Sequence, residues 1–436
     1  MRGRAPKKTL IGGDSSASQI PIGGSTSVGV IGMVRRLVLT AGVALRAIPG
    51  VFETFGGLSD PTAVIPSASG ARWWLQRLGL FALQEKLEVA DEGVYLIDHS
   101  VQIGTVKVCV IVGLRLSELP SPARPLRQED LRLLATIPTE SSTGEKVAEQ
   151  LQQTAQRTGI PREIVSDHGS DVKKGSELFA ARHPHTAVVY DAAHHGACVL
   201  KRRFEADPRW ADFLTPLNQT NSRLQQTSDA YLMSPNLRPK ARYMNVASVL
   251  RWCRAMLVLL DRGTTSGPAS ARAQVRYGWL RRDRRAIAEW SRWESTVRGG
   301  VEFVRTHGLS RGSPTELAAH LRARPSAERH RKIEAELVEF VRRQSTAAQP
   351  GERLVGSTEV LESVFGKWKS LERQESQSGI TGLVLSLGAL LGNWTTSRIQ
   401  TALNQTPVKQ VTTWCKTHLP PSVQSLRRLA FSTPLS

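Results

Sequence analysis

The stretch Gly93-Val94-Tyr95-Leu96-Ile97-Asp98-His99-Ser100 is an apolar run that closes on a carboxylate. Aliphatic and aromatic residues in a run this short read as a strand, and the spacing predicts one over Gly93–Ile97 ending on Asp98. Just downstream, Val106, Val108, Val110 and Val112 recur at every second residue. That period of two predicts a second strand. Leu131–Ile137 reads as a third. No helical periodicity separates the three, so they are expected to form an antiparallel meander.

Working outward, the period changes. Ser142 and Glu145 have the spacing of a capping box, and Val147, Ala148, Leu151 and Ala155 line one helical face. Arg157, Gly159 and Pro161 mark the end of that helix. The next apolar run, Glu163–Ser166, ends on Asp167 within Ile164-Val165-Ser166-Asp167-His168-Gly169-Ser170-Asp171. Gly169 is expected to turn the backbone sharply there. A helix over about Lys173–Arg182 and a strand over Thr186–Tyr190 follow. The element order is β-β-β-α-β-α-β, then helix.

The flanks divide by composition. Residues 1–28 are rich in Gly, Ser and basic residues and read as a disordered basic tail. Residues 29–90 read as helices. Val34–Thr40 comes first, Ala41-Gly42-Val43 makes a turn, and Ala44–Phe55 follows. Ser67 caps a third helix through Leu78. Helix, glycine turn, helix is the pattern of a helix-turn-helix DNA-binding region. Residues 91–204 hold the first part of the core. Residues 205–355 read as a mainly helical, basic insertion, with Ser313-Pro314-Thr315-Glu316 as a helix start and linkers over Gly263–Ser270 and Ala347–Gly356. In 356–436, Ser357 is expected to cap a helix running past Lys369, with further helices behind it.

Charge narrows the partner. The chain has 436 residues, with 58 Lys+Arg against 38 Asp+Glu and a formal net charge of +20. A balance that basic favours a polyanion, and nucleic acid is the commonest. The size fits about two or three domains, each able to bury a core. Cys109, Cys198, Cys253 and Cys415 are scattered, which indicates neither a disulfide framework nor a zinc site and suits a reducing cytosol. His183, His185, His194 and His195 cluster in sequence without thiolates nearby, and read as solvated or satisfied side chains rather than ligands. The apolar stretch around Val34–Phe52 is broken by Arg35, Arg36 and Arg46, and Gly379–Gly392 is short enough to be a buried helix, so no membrane span is expected. No secretory signal is expected either.

Phosphoryl transfer on DNA is served by two divalent metals held by carboxylate oxygens. Asp98 and Asp167, each at the end of an apolar strand, are candidates for that work; each could equally be a turn-forming aspartate. Asp171 could be a partner or a cap, and Asp191, closing the next strand, is a weaker alternative. In Glu359-Val360-Leu361-Glu362-Ser363-Val364-Phe365-Gly366-Lys367-Trp368-Lys369, helical spacing puts Leu361, Val364, Phe365 and Trp368 on one stripe. Glu362, Gly366 and Lys369 fall on the neighbouring line. Glu289, in Ala286-Ile287-Ala288-Glu289-Trp290, is the main rival acid. It lies on a helix with Arg281, Arg282, Arg284 and Arg285, which could grip phosphates. Trp279, Trp290 and Trp293 could stack an unpaired base, or simply be core.

The strand order, with acids on the first and fourth strands, resembles the ribonuclease H-like catalytic core of DDE transposases and retroviral integrases. The segment around Glu362 is similar to the glutamate helix of cut-and-paste insertion-sequence transposases, where a Glu is followed by an aromatic residue one turn on and a Lys two turns on. Val355 and Thr358 stand where that family has Tyr and Arg, a departure that leaves the subfamily open. The resemblance covers roughly residues 30–375. It implies an α/β fold: a ribonuclease H-like mixed sheet flanked by helices, with a helical insertion. It also implies Asp98, Asp167 and Glu362 as catalytic metal ligands, two Mg2+ (or Mn2+) ions, and Lys369 on a DNA phosphate. Arg281, Arg282, Arg284 and Arg285 would add DNA contacts. The implied partner is double-stranded DNA, both transposon ends and target, bound by a homo-oligomer, a dimer, in the bacterial cytoplasm at the nucleoid. A catalytically inactive DNA-binding derivative and a metal-dependent nuclease that cuts without joining are the alternatives.

Overall fold

A computed structural model describes residues 17–59, 64–101, 106–237, 245–263, 267–322, 331–374, 380–421 and 423–432. It contains a five-stranded mixed sheet made of β1 (Gly93–Val101), β2 (Lys107–Arg115), β3 (Arg132–Thr139), β4 (Pro161–Ser166) and β5 (Ala187–Tyr190). The order across the sheet is β3-β2-β1-β4-β5. β1, β2 and β3 pair antiparallel in sequence, as the lack of helical periodicity between them predicts, while β1 and β4 run parallel. A parallel neighbour needs a crossover, and α4 (Gly144–Thr158) supplies it. One end differs from expectation. β1 does not stop at Asp98 but continues to Val101, because Ser100 and Val101 stay paired with Val108 and Lys107 after β4 has ended.

One face of the sheet is covered by α4 and α5 (Ser170–Arg182). Tyr95, Ile97, Cys109 and Ile111 pack there against Val147, Leu151, Val172 and Phe179, all buried. Alternation along β1 sends Val94, Leu96 and Asp98 to the other face. The caps of α4 differ from the expected capping box. Thr143, not Ser142, is the N-cap and accepts from the Lys146 amide. Gly159 ends the helix with φ +92°, as its position suggested.

The N-terminal region is helical, as expected: α1 (Val28–Leu39), a left-handed Gly42, a short 3-10 turn, α2 (Ile48–Ser59) and α3 (Ala68–Gln84). Ser67 caps α3 by accepting from the Gly70 amide at 3.0 Å. α3 runs beyond the expected Leu78 because Gly79, Leu80, Ala82 and Leu83 are buried. Of the basic tail expected over 1–28, residues 1–16 lie outside the described residues. Over residues 17–27 the backbone makes turns, and the Ile22 amide donates to Asn404 Oδ1 at 2.9 Å.

The chain divides into two units, 1–188 with 358–436 and 189–357. In the first, α13 (Glu359–Glu372) packs on β1, α1 packs on α15 (Thr396–Gln405), and α3 packs on α14 (Ser386–Leu390). The apolar run 379–392 holds α14 and is buried among the described residues, as its length implied. At the α3–α14 crossing, a Cβ on Gly79 would overlap the Leu385 carbonyl. α16 (Val408–His418) and α17 (Val423–Ser432) follow.

The second unit is helical: α6 (Ala192–Glu205), α7 (Pro208–Leu224), α8 (Val246–Asp261), α9 (Pro268–Tyr277), α10 (Arg284–His307), α11 (Ser313–Arg322) and α12 (Arg331–Ser345). Its core is aromatic, with Trp210 between Phe204 and Phe213 and Trp290 edge-on to Trp210. Two segments expected as linkers behave otherwise. Part of Gly263–Ser270 lies outside the described residues, and Pro268 onward is already α9. Ala347–Gly356 is packed, since Leu354 pairs antiparallel with Leu309 and both are fully buried.

Candidate active site at the ends of β1 and β4

The parallel ladder between β1 and β4 ends at the pair Ile97 and Ser166, both fully buried. The next residues are Asp98 and Asp167. Neighbouring parallel strands thus set two half-buried carboxylates side by side just past the end of the ladder. The His99 amide donates to Asp98 Oδ1 at 2.6 Å. The Gly169 amide donates to Asp167 Oδ1 at 2.9 Å, closing an Asx turn.

The tight turn after Asp167 is made by a different residue from the one expected. Gly169 has φ −48°. His168 carries φ +58°, the one left-handed non-glycine among the described residues. A side chain costs about 1–2 kcal/mol in that region, and such strain gathers at functional sites.

The third acid arrives on α13. Its N-cap position is held by Thr358 rather than Ser357. Val360, Leu361, Val364, Phe365, Trp368 and Leu371 are buried and fix the rotation of the helix, so the predicted stripe holds. Gln128 pins its outer side, accepting from Lys367 Nζ at 2.8 Å and donating to Ser363 Oγ at 3.2 Å. Glu362 is exposed, Lys369 Nζ lies 5.9 Å from the centre of the Phe365 ring, and open space surrounds Gly366.

These groups act on one another. Asp98 is pushed up to about 7, first by burial and then by the charge of Asp167, with Glu362 adding to the rise. The His99 amide and the positive charge of Lys369 pull the other way. A carboxylate raised by its neighbours marks a cluster short of positive charge. The donors are hard oxygens, the set that Mg2+ or Mn2+ prefers. Among the described residues, no three His, Cys, Asp or Glu side chains converge on one point as a closed ligand set. The three acids therefore share a field rather than a finished coordination sphere.

Beside Asp98 lies a polar cluster in which Asp171, read from the sequence as a possible partner or cap, meets His99, Lys107 and Ser142, which sequence reasoning missed. Asp171 Oδ2 is 3.7 Å from His99 Nδ1 and 3.7 Å from Lys107 Nζ. Ser142 Oγ, released from capping α4, sits 3.4 Å from His99 Nε2. Burial works to raise Asp171, but the Ser142 hydroxyl, His99, the Val172 amide and Lys107 hold it below the usual carboxylate range. His99 is lowered, chiefly by burial. The available signal was adjacency: His99 follows one acid, and Asp171 comes four residues after the other.

The rival acids have other duties. Asp191 is buried and caps α6, accepting from the His194 amide at 3.0 Å. Glu289 lies in the second unit and pairs with Arg209 at 3.1 Å, which also holds Asp207. The expected basic helix is in fact a 3-10 turn, Gly278–Asp283, carrying Arg281 and Arg282, followed by Arg284 and Arg285 at the start of α10. All four are exposed. Arg281 donates to the Leu260 carbonyl, Arg284 pairs with Asp261, and Arg282 pairs with Asp283 and lies over Trp279. Trp290 is fully buried and donates to Asp207 Oδ2 at 2.8 Å, so it is core and has no face for a base. In the histidine group, His183 bonds Gln152 and His195 stacks on Phe340 at 3.9 Å.

No protein-family model and no curated protein matches the chain. Among solved structures, the Drosophila P element transposase strand transfer complex is similar at a TM-score of 0.36 and 11% identity, over 84% of this chain and 91% of that one. A likeness that distant establishes neither fold family nor function. Among the described residues, no helix is long and apolar enough to cross a membrane.

Proposed function

We propose that this chain is a DNA transposase of the acidic-triad type, built on a ribonuclease H-like core. The observation that carries this is the pair Asp98 and Asp167, one residue past the end of the β1–β4 ladder, with Glu362 raising Asp98 from α13. The net charge of +20 supports a DNA partner.

In this proposal, Asp98, Asp167 and Glu362 hold two Mg2+ (or Mn2+) ions, which supply Lewis-acid activation of the attacking and leaving oxygens. Lys369 holds a phosphate of the DNA end, and the open space at Gly366 admits the backbone close to α13. The N-terminal helices take the transposon's terminal inverted repeats. Arg281, Arg282, Arg284 and Arg285 grip DNA phosphates as part of a homodimer assembled on the DNA. In the first step a water oxygen bonds to the end phosphorus, the bond from phosphorus to the 3′ oxygen breaks, and that oxygen leaves as a hydroxyl. In the second, the oxygen of this 3′ hydroxyl bonds in line to a target phosphorus, the bond from that phosphorus to the target strand's 3′ oxygen breaks, and that oxygen leaves as a hydroxyl with the proton the attacking hydroxyl gives up. The site of action is the bacterial cytoplasm.

The test is metal-dependent cleavage and joining of transposon-end DNA by the wild type, Asp98→Ala and Asp167→Ala. Cleavage lost in both variants with DNA binding kept supports the proposal. Unchanged cleavage overturns it. A wild type that binds ends but never cuts would instead be an inactive DNA-binding derivative.

A further inference from the structure

We infer that Asp171 is a positioning residue, which sets the spacing of Asp98 and Asp167 beyond the point where their strands stop pairing. This rests on the proposed active site and adds a residue to it.

The β1–β4 ladder fixes Ile97 against Ser166 and goes no further. Asp98 and Asp167 therefore lie just outside the hydrogen bonds that hold the two strands together. The chain after Asp167 leaves through a left-handed residue, His168, a strained conformation that needs the surroundings to over-determine it. Some other connection must tie this turn to β1.

Asp171 is placed to make it. Its Oδ1 accepts from the Val172 amide at 3.0 Å, which fixes the carboxylate on the first turn of α5, where the helix dipole favours it. Its Oδ2 faces His99 on β1 and Lys107 on β2, both at 3.7 Å. His99 closes the link to the loop before α4 through Ser142. The carboxylate thus attracts Lys107 on β2, lies against His99 on β1 and is bonded to the first turn of α5, with the loop before α4 joined through His99. The side chains of His99 and Asp171 are only 9% and 17% exposed, so water screens the contact weakly. His99 also bonds Asp98 through its amide, so a shift of His99 moves Asp98 directly.

Groups that orient ligands from behind typically govern metal affinity or activity by about 10–100-fold. The experiment measures Mn2+ binding to the full chain by electron paramagnetic resonance, alongside cleavage of transposon-end DNA. The proteins are wild type, Asp171→Ala, Asp171→Asn and Asp98→Ala. Asp171→Asn keeps the shape and an oxygen for the Val172 amide, so it serves if Asp171→Ala does not fold. Both Asp171 variants are expected to bind Mn2+ about 10–100-fold more weakly and to need correspondingly more metal for half-maximal cleavage, while Asp98→Ala loses both signals. Wild-type Mn2+ affinity in a folded Asp171 variant, with Asp98→Ala defective, overturns the positioning role alone. Wild-type Mn2+ binding and cleavage in Asp98→Ala overturn the active site itself.

Discussion

Ile97 and Ser166 form the last register pair of the parallel β1–β4 ladder, and the residue after each is an aspartate. The two carboxylates are therefore neighbours by backbone pairing rather than by side-chain choice. Replacing either by asparagine preserves shape and hydrogen bonding but removes a charge. Cleavage of transposon-end DNA by Asp98→Asn or Asp167→Asn should fall on the order of 1,000-fold, the scale of several kcal/mol of lost transition-state stabilisation. DNA affinity should stay within about threefold. Gel-shift and single-turnover cleavage assays on the same preparations measure both, and a variant that cuts at the wild-type rate would remove that aspartate from the site.

The same crowding predicts a pH dependence. Asp98 is raised to about 7, burial being the largest cause. Between its ordinary value and about 7, the folded protein keeps a proton that the unfolded chain has released. The folded state binds more protons in that window, so its stability falls as pH rises through it and levels off above. In metal-free buffer the wild type should lose on the order of a few kcal/mol between about pH 5 and about pH 8 relative to Asp98→Asn. Urea midpoints of both proteins at the two pH values give the difference. A difference independent of pH would show that Asp98 ionises normally. Added Mg2+ should restore more stability to the wild type than to the variant at the higher pH.

The sheet was legible in the sequence because its signals are local. The valines at 106, 108, 110 and 112 alternate, and Arg157, Gly159 and Pro161 punctuate the end of α4. What was not legible depends on partners far along the chain. β1 overruns Asp98 because β2 is there to pair with it. Thr143 takes the cap that Ser142 was expected to hold, and Ser142 turns to His99, 43 residues away. His168 adopts the conformation expected of Gly169, a choice that local propensity disfavours. The helical register of Glu362 could be read from Leu361, Phe365 and Trp368, whereas the packing of α13 on β1 could not.

A second long-range feature is the crossing of α3 and α14. Gly79 meets the Leu385 carbonyl, and Gly388 lies against Gly79 and Ala82. No side chain fits between the helices there. Gly79→Ala would gain helix propensity of about 1 kcal/mol in an exposed helix. Here it should instead destabilise the first unit by about 3 kcal/mol or more, since the helices must separate. A thermal melt decides the matter: a midpoint at or above that of the wild type would mean that the crossing opens freely.

The four arginines ahead of and within the start of α10 separate DNA contact from internal structure. Arg281 is tied to the Leu260 carbonyl and Arg284 to Asp261. Arg282 meets its sequence neighbour Asp283 and the Trp279 ring, and Arg285 is exposed. Arg282→Ala and Arg285→Ala should each weaken binding to DNA of any sequence and lower the slope of log affinity against log salt by about one. Neither should change stability by more than about 0.5 kcal/mol. Trp290→Phe is the converse case. It removes the indole bond to Asp207 from a fully buried position and should cost about 1–3 kcal/mol while leaving DNA affinity and salt slope unchanged. Equilibrium binding at several salt concentrations tests all three. A salt slope unchanged in both arginine variants would place the DNA contacts elsewhere, and a DNA-binding defect in a folded Trp290→Phe would mean that the indole senses the DNA after all.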